Sequence, residues 1–376
     1  MRNGFVKYKI PFIKPSFPTG AEIGSDYDKI VASNWFTNFG PYEQKFRREV
    51  AHFLNQDVNV STAANATLAI DLAVRALLTR TETRNQVLVP SFTFAAGPEM
   101  LISNDYTPVF IDIEQESLQP NIDQAEKYII ANKKKMSGIL LCNIFGVGNK
   151  NISEWEQLAE KYNLPLIIDS AAGFGSKYNK DLYIGSRGDC EIFSLHATKP
   201  FAVGEGGLVV SRNAGLIDKI RSLQNFGFDE SRNVSIIGTN AKLQELNCAI
   251  GLRQLQGFKY RLRHRQQSLA YYKQKLERFG YSFQVNDDLS TVAFISVLAP
   301  DIKTAQISYT QLQSNGVEVK KYYAPLHRQH IIANQSIINN TLAVTEDVAN
   351  RILSLPLHDG MSHEIIDTIV SYMKTK

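Results

Sequence analysis

The chain has 376 residues, enough for one large domain plus a smaller one around a substantial core. Its 44% hydrophobic and 21% charged content is that of an ordinary globular protein. The net charge of +4, from 41 basic and 37 acidic residues, is small for this length. The basic clusters Lys133–Lys135 and Arg261/Arg263/Arg265 read as solvated faces, so no nucleic-acid partner is expected.

The run Met1–Lys9 has neither the apolar stretch of a signal peptide nor a small-residue cleavage site. No apolar run approaches the roughly 20 residues that a membrane helix needs. A cytoplasmic protein without membrane insertion is the expectation. Cys142, Cys190 and Cys248 are odd in number, far apart and in no CxxC, which indicates neither a disulfide framework nor a zinc site. His327 and His330 sit three apart but lack further ligands at metal spacing, so no metal is expected.

In chain order, Ala66–Leu78 reads as a helix rich in Ala and Leu. Gln86–Val89 is a buried strand ended by Pro90, and Thr107–Asp112 and Gly138–Cys142 are two more. Ser153 is predicted to cap a helix, with Glu156 completing a capping box and Trp155, Leu158, Ala159 and Tyr162 on the apolar face. Leu164–Ile168 is the strand that delivers Asp169, and Leu208–Val210 is another strand. Short apolar strands separated by amphipathic helices imply a largely parallel sheet covered on both faces. Ligands on such sheets lie beyond the carboxyl ends of the strands, where Asp169 stands.

From Leu243 to Phe279 the pattern is one long helix, apolar at Leu246, Ile250, Leu252 and Leu255. Short elements follow at Val292–Val297, Ala305–Asn315 (helix) and Val317–Tyr323, with a final helix at His363–Met373. The expected division is a large unit, 1–254, and a small one, 255–376, separated inside the long helix.

The run Phe193-Ser194-Leu195-His196-Ala197-Thr198-Lys199 precedes Gly204-Glu205-Gly206-Gly207, thirty residues beyond the strand-end Asp169. A lone lysine is ordinarily a solvated charge, and a lone strand-end aspartate a helix cap. Together they are what a pyridoxal phosphate (PLP) enzyme requires. The lysine amine forms a Schiff base with the cofactor aldehyde, and the aspartate pairs with the protonated ring nitrogen. Asn65-Ala66-Thr67 opens a helix, whose free amides and positive dipole end suit an anion; the alternative is an ordinary N-cap.

These pieces resemble the DegT/StrS family of PLP-dependent sugar aminotransferases over nearly the whole chain. The landmarks, in order, are Phe36-Thr37-Asn38-Phe39-Gly40-Pro41, Asn65-Ala66-Thr67-Leu68-Ala69, Pro90-Ser91-Phe92-Thr93-Phe94, Pro108-Val109-Phe110-Ile111-Asp112, Asp169-Ser170-Ala171-Ala172 and the Lys199 motif. Gly238-Thr239-Asn240-Ala241-Lys242, Tyr322-Tyr323-Ala324-Pro325-Leu326-His327 and Leu353-Ser354-Leu355-Pro356-Leu357 complete them. The resemblance implies an α/β fold of the aspartate aminotransferase type I class. A mainly parallel seven-stranded sheet flanked by helices forms the large domain, and the C-terminal domain is a smaller α+β unit. It further implies Lys199 and Asp169 as catalytic groups, and phosphate contacts from Asn65, Ala66, Thr67 and Ser194. Phe94 stacks on the ring, and Asn240 reaches the cofactor phosphate of a neighbouring subunit in a homodimer. L-glutamate is the implied donor and a nucleotide-linked keto sugar the acceptor, with Lys320, Lys321 and His327 as candidate substrate contacts. Ala172 stands where the family often has Gln or His near the ring hydroxyl, and Asn143 is a candidate replacement contact. Ala241-Lys242 replaces the common Tyr-Arg and is similar to members acting at C-4 of 4-keto-6-deoxy sugars. A keto-inositol aminotransferase, a sugar dehydratase and a non-catalytic regulator are the competing readings. The dehydratases replace the Schiff-base lysine with histidine, which Lys199 argues against.

Overall fold

The computed structural model describes residues 8–54 and 57–374. Most of the amino-terminal run examined for targeting signals, residues 1–7, lies outside the described residues. The strands are β1 (Asn59–Ala63), β2 (Gln86–Pro90), β3 (Thr107–Ile111), β4 (Met136–Cys142), β5 (Leu166–Asp169), β6 (Cys190–Ser194), β7 (Gly207–Ser211), β8 (Ser282–Phe283), β9 (Ile295–Leu298), β10 (Ile337–Ile338) and β11 (Ile352–Leu355). The large sheet has the order β1-β7-β6-β5-β4-β2-β3-β10. It is parallel except for β7, which runs antiparallel to both β1 and β6. The seven expected strands are present, and the two-residue β10 from the carboxyl-terminal part adds an eighth beside β3. β2, β5, β6 and β7 are buried along their whole length, as strands covered on both faces must be.

The helix expected from Ser153 begins instead at Ile152, and its N-cap Asn151 makes no side-chain cap bond. The Asn149 side chain and carbonyl organise that turn by accepting from Asn151 N (2.9 Å) and Ile152 N (3.1 Å). Glu156 closes no capping box, because its carboxylate holds Arg187 Nη1 (2.8 Å) and Gly188 N (3.0 Å). The long helix runs Glu245–Leu276 and tightens to a 3₁₀ turn at Glu277–Phe279. Its buried stripe passes through Cys248, Gly251, Phe258 and Leu262, leaving Leu246, Ile250, Leu252 and Leu255 half-buried. Gly251 seats the Phe46 ring, which a Cβ there would meet at 2.5 Å.

Residue 255 lies inside this helix. Phe258 and Leu262 belong to the core of the large sheet, whereas Leu269, Tyr272 and Leu276 belong to a second core around the sheet β11-β9-β8. We propose that the two units divide within this helix. The segment Val317–Tyr323 forms isolated bridges to Ile10 and Ser354 rather than a regular strand. Ile10, from the beginning of the chain, therefore packs on the carboxyl-terminal core.

One carboxylate ties the two parts. Asp112, buried just past β3, accepts from Thr345 N (2.8 Å), Thr345 Oγ1 (2.7 Å) and Val344 N (3.0 Å) in the first turn of helix Ala343–Arg351. It also accepts from Ile113 N (2.9 Å). Asp112→Ala leaves these buried donors unpaired, and should lower unfolding stability by about 2–4 kcal/mol. A urea titration beside Asp112→Asn, which restores part of the loss, checks this. An unchanged midpoint for Asp112→Ala contradicts the tie.

Candidate active site

The carboxyl ends of β4, β5 and β6 open into a cavity of about 470 Å³. β5 and β6 pair with Asp169 opposite Ile192, and β6 and β7 with Ser194 opposite Gly207. This register brings Asp169, Ser194 and the turn leading to Lys199 to one edge. The turn is bonded internally: Ala197 N donates to Gly204 O (2.8 Å), Lys199 N to His196 O (2.8 Å), and His196 Nδ1 pairs with Thr198 Oγ1 (2.8 Å). Gly204 has φ +100°, a conformation that side-chain-bearing residues rarely adopt.

Nine of the residues predicted for the cofactor line this cavity: Asn65, Ala66, Thr67, Phe94, Asn143, Asp169, Ala172, Ser194 and Lys199. Asn65 caps its helix by accepting from Leu68 N (2.9 Å). The first-turn amides at Ala66 and Thr67 are among those a helix cannot satisfy internally, and they stand at the cavity with the positive end of the dipole. Gly207 makes this approach possible, since a Cβ there would lie 2.6 Å from the Asn65 carbonyl and 2.8 Å from Ala66 N.

The two charged groups at the centre are balanced against burial. Burial raises the Asp169 carboxyl, while the Ala171 amide (2.9 Å) and the Lys199 amine pull it down. Burial lowers the Lys199 amine, while Asp169 and Cys142 pull it back up. Opposite charges in a poorly solvated space attract strongly, so each keeps the other ionisable.

An aromatic wall faces this pair, and the sequence reading missed most of it. Tyr323 stacks on Phe145 (5.7 Å between centroids) and Tyr322 (5.1 Å), and meets Phe94 edge-on (5.9 Å). Phe12 packs on Phe294 at 5.3 Å. These rings come from distant parts of the chain, so no local pattern announces them. Tyr322 and Tyr323 stood within a recognised landmark but had no assigned role. His196, Thr198 and Glu205 also line the cavity; their place in the lysine motif was the available signal.

The remaining predicted residues lie elsewhere. Asn240 is exposed on the loop after the helix Ala214–Leu223, outside this cavity. Lys320 pairs with Glu318 (2.8 Å), and Lys321 lies over the Tyr309 ring (5.1 Å). His327 bonds Ser91 Oγ through Nδ1 (2.7 Å) and Glu346 through Nε2 (2.6 Å). Ser91 is fully buried, so this Ser-His-Glu chain fastens β2 to the carboxyl-terminal part and presents no nucleophile. Asn143, by contrast, does line the cavity, but its side chain is taken up by protein partners. Its amide donates to Ser170 Oγ (2.8 Å) and Tyr178 OH (3.1 Å), and its carbonyl accepts from Asn149 N (3.0 Å). Among the described residues, no group of three His, Cys, Asp or Glu could hold a metal, and no helix is long and apolar enough to cross a membrane.

The donor set fits PLP. A helix N-terminus with the Ser194 hydroxyl suits the phosphate, an enclosed carboxylate the ring nitrogen, and an enclosed amine the aldehyde. The model of the DegT/DnrJ/EryC1/StrS aminotransferase family matches residues 19–374. The chain belongs to that family. It is a PLP-dependent aminotransferase of fold type I. It is 41% identical over 366 residues to Protein Rv3402c of Mycobacterium tuberculosis (strain ATCC 25618 / H37Rv), covering 96% of this chain and 89% of that one. It is 29% identical over 371 residues to the dTDP-4-amino-4,6-dideoxy-D-glucose transaminase of Shigella dysenteriae, covering 96% and 97%. A crystal structure assigned as a PLP-dependent aminotransferase, from Bacillus cereus ATCC 10987, superposes with a TM-score of 0.90 at 31% identity, covering 97% and 99%.

Two outcomes follow from the geometry. Gly207→Ala forces the Asn65–Ala66 backbone away from β7, and PLP affinity measured by titration should fall at least tenfold; wild-type affinity contradicts the close-approach argument. Glu191, buried in β6, has its carboxyl pushed up to about 7 by burial, against an ordinary carboxylate value. The native state therefore holds this proton to higher pH than the unfolded chain does. The contribution is fully present below the unfolded value and is lost as pH rises through about 7. Relative to Glu191→Gln, the wild type should lose about 2–3 kcal/mol of stability between pH ~5 and ~8, read by urea midpoints. Parallel profiles contradict the shift.

Proposed function

We propose that this protein transfers an amino group from L-glutamate to the keto carbon of a nucleotide-linked 4-keto-6-deoxy or 3-keto sugar, in surface-polysaccharide or other amino-sugar synthesis. The observation that carries the reading is the enclosure of the Lys199 amine and the Asp169 carboxylate in one cavity at the carboxyl edge of the sheet. Support for the acceptor class comes from the Shigella dysenteriae relative, named for a dTDP-linked 4-amino sugar and matched from end to end.

Bound PLP supplies an electron sink that stabilises negative charge at a carbon losing its proton. The rest falls to the chain. Lys199, brought toward neutrality by burial, would move that proton between the substrate carbon and the cofactor carbon, acting as base and then acid. Asp169 would hold the proton on the ring nitrogen, and that ion pair would offset the cost of burying a carboxylate. The Ala66 and Thr67 amides with Ser194 would hold the phosphate, and Phe94 would cover the ring face. The wall of Tyr322, Tyr323, Phe145 and Phe294 keeps water from the reacting carbon. Asn240 of a second copy completes the phosphate site, which makes the working unit a homodimer.

Lys199→Ala should reduce glutamate-dependent formation of the amino sugar by about 10²–10⁴-fold or more, the range for losing a positioned acid–base group. The purified wild type should also show a change in cofactor absorption on adding L-glutamate alone. Appreciable turnover in Lys199→Ala defeats the assignment of the lysine. A spectrum indifferent to glutamate but responsive to another amino acid defeats the assignment of the donor.

A further inference from the structure

We propose that Glu191, behind the cavity wall, and Asn143, on its lining, are positioning residues that hold Asp169 in place through Ser170. The proposal deepens the reading above, since it rests on Asp169 being the partner of the cofactor's ring nitrogen.

Glu191 is a fully buried carboxylate that does not line the cavity. A buried carboxylate is costly unless its lone pairs are filled. Here four donors fill them. Gly185 N (2.8 Å) and Arg187 N (2.9 Å) donate to Oε1, and Ser170 Oγ (2.8 Å) and Tyr178 OH (3.0 Å) donate to Oε2. Two backbone amides and two hydroxyls make a cradle for an anion. The first pair belongs to the turn that enters β6, and the second to the segment that leaves β5.

Asn143 closes the arrangement from the neighbouring strand. Its side-chain amide donates to the oxygens of both hydroxyls, Ser170 Oγ and Tyr178 OH, leaving their protons directed at Glu191. Its backbone N–H donates to the Asp169 carbonyl (2.9 Å). Ser170 follows Asp169 directly, and the next amide, Ala171 N, grips Asp169 Oδ1 (2.9 Å). The backbone on the carboxyl side of Asp169 Cα is thus anchored by one connected set: Asn143 on its carbonyl, Glu191 and Asn143 on Ser170. The following carbonyl, Ala172 O, accepts from Thr291 Oγ1 (2.9 Å). No side chain at position 172 can reach a cofactor hydroxyl, because the residue is alanine. The turn is held from behind instead, and Asn143 serves that hold rather than the cofactor contact expected of it. Burial raises the Glu191 carboxyl, which is the strain this cradle offsets.

Glu191→Gln, Asn143→Ala and Ser170→Ala, each as full-length purified protein, should be titrated with PLP. Each should bind PLP about tenfold more weakly than wild type. The Glu191→Gln/Ser170→Ala double variant should be no weaker than the worse single one, since both sever the same link. kcat should fall while the donor KM holds. Asp287→Ala, which breaks a distant ion pair with Lys273, should lose stability yet keep wild-type affinity and activity. Wild-type PLP affinity in Glu191→Gln, or additive losses in the double variant, overturns the proposal. Asp169→Asn separates the two layers. If Asp169→Asn is impaired and the Glu191 and Asn143 variants are not, only the positioning role falls. If Asp169→Asn binds PLP and turns over as wild type, the reading of Asp169 falls and takes this proposal with it.

Discussion

An amine and a carboxylate share one enclosed space at the carboxyl edge of the sheet, and burial disfavours the charge on each. The Ala171 amide and the Lys199 amine oppose that penalty at Asp169, and Asp169 opposes it at Lys199. They do not come from one local segment. Asp169 ends β5, while Lys199 closes a turn beyond β6 that Gly204 folds back toward β7. A one-residue slip between β5 and β6 would send the two groups to opposite faces of the sheet. The continuous apolar burial of β5, β6 and β7 therefore does more than stabilise the fold. It fixes the register on which the pair depends.

The other half of the cavity is built from the far end of the chain. The rings of Tyr322, Tyr323 and Phe294 descend from the carboxyl-terminal part onto Phe145 and Phe94 of the large sheet. That placement needs the two parts to be fastened at defined points. Asp112 fastens helix Ala343–Arg351 to the end of β3, and the Ser91–His327–Glu346 chain fastens the end of β2. The second fastening sits just before Phe94, which the segment after β2 carries into the cavity lining. Polar links of this kind fix orientation, which a purely apolar contact leaves loose.

The apolar strands, the Asn65-capped helix and the lysine turn were legible because each is a local pattern: a buried run, a cap residue, a Ser/Thr-rich motif with glycines. The capping box at Ser153 failed because a stronger partner, Arg187, claimed Glu156 from thirty-one residues away. The stripe on the long helix was read from its most apolar residues. The structure instead buries Gly251 and Gln254, whose roles depend on Phe46 and on the Ala202 carbonyl opposite them. Asn143 was legible as a polar residue at a strand end, but its direction was not, because Ser170 and Tyr178 reach it from the segment that follows β5. Apart from Phe94 and the Tyr322-Tyr323 landmark, the aromatic wall had no sequence signal, since its members share no period.

The charge of the cavity bears on how the proposed substrates are met. Among the described residues that line it, Lys199 and His196 are the only basic ones, and Lys199 is committed to the chemistry. A dicarboxylic donor and a diphosphate-linked sugar each bring more negative charge than one histidine can answer, and His196 already faces Glu205 (3.5 Å). Further cations must therefore approach from outside this lining. The loop that carries Asn240 also carries Lys242, which lies over the exposed Phe226 ring (4.6 Å) and donates to Asn225 Oδ1 (3.0 Å). Gly227 packs so closely on the Ile236 carbonyl that any side chain there would break the loop. The same loop exposes Phe226, Val234 and Ile237, an apolar face suited to contact with a second copy. In the proposed homodimer it would bring Asn240 and, beside it, Lys242 to the partner's cavity on one element.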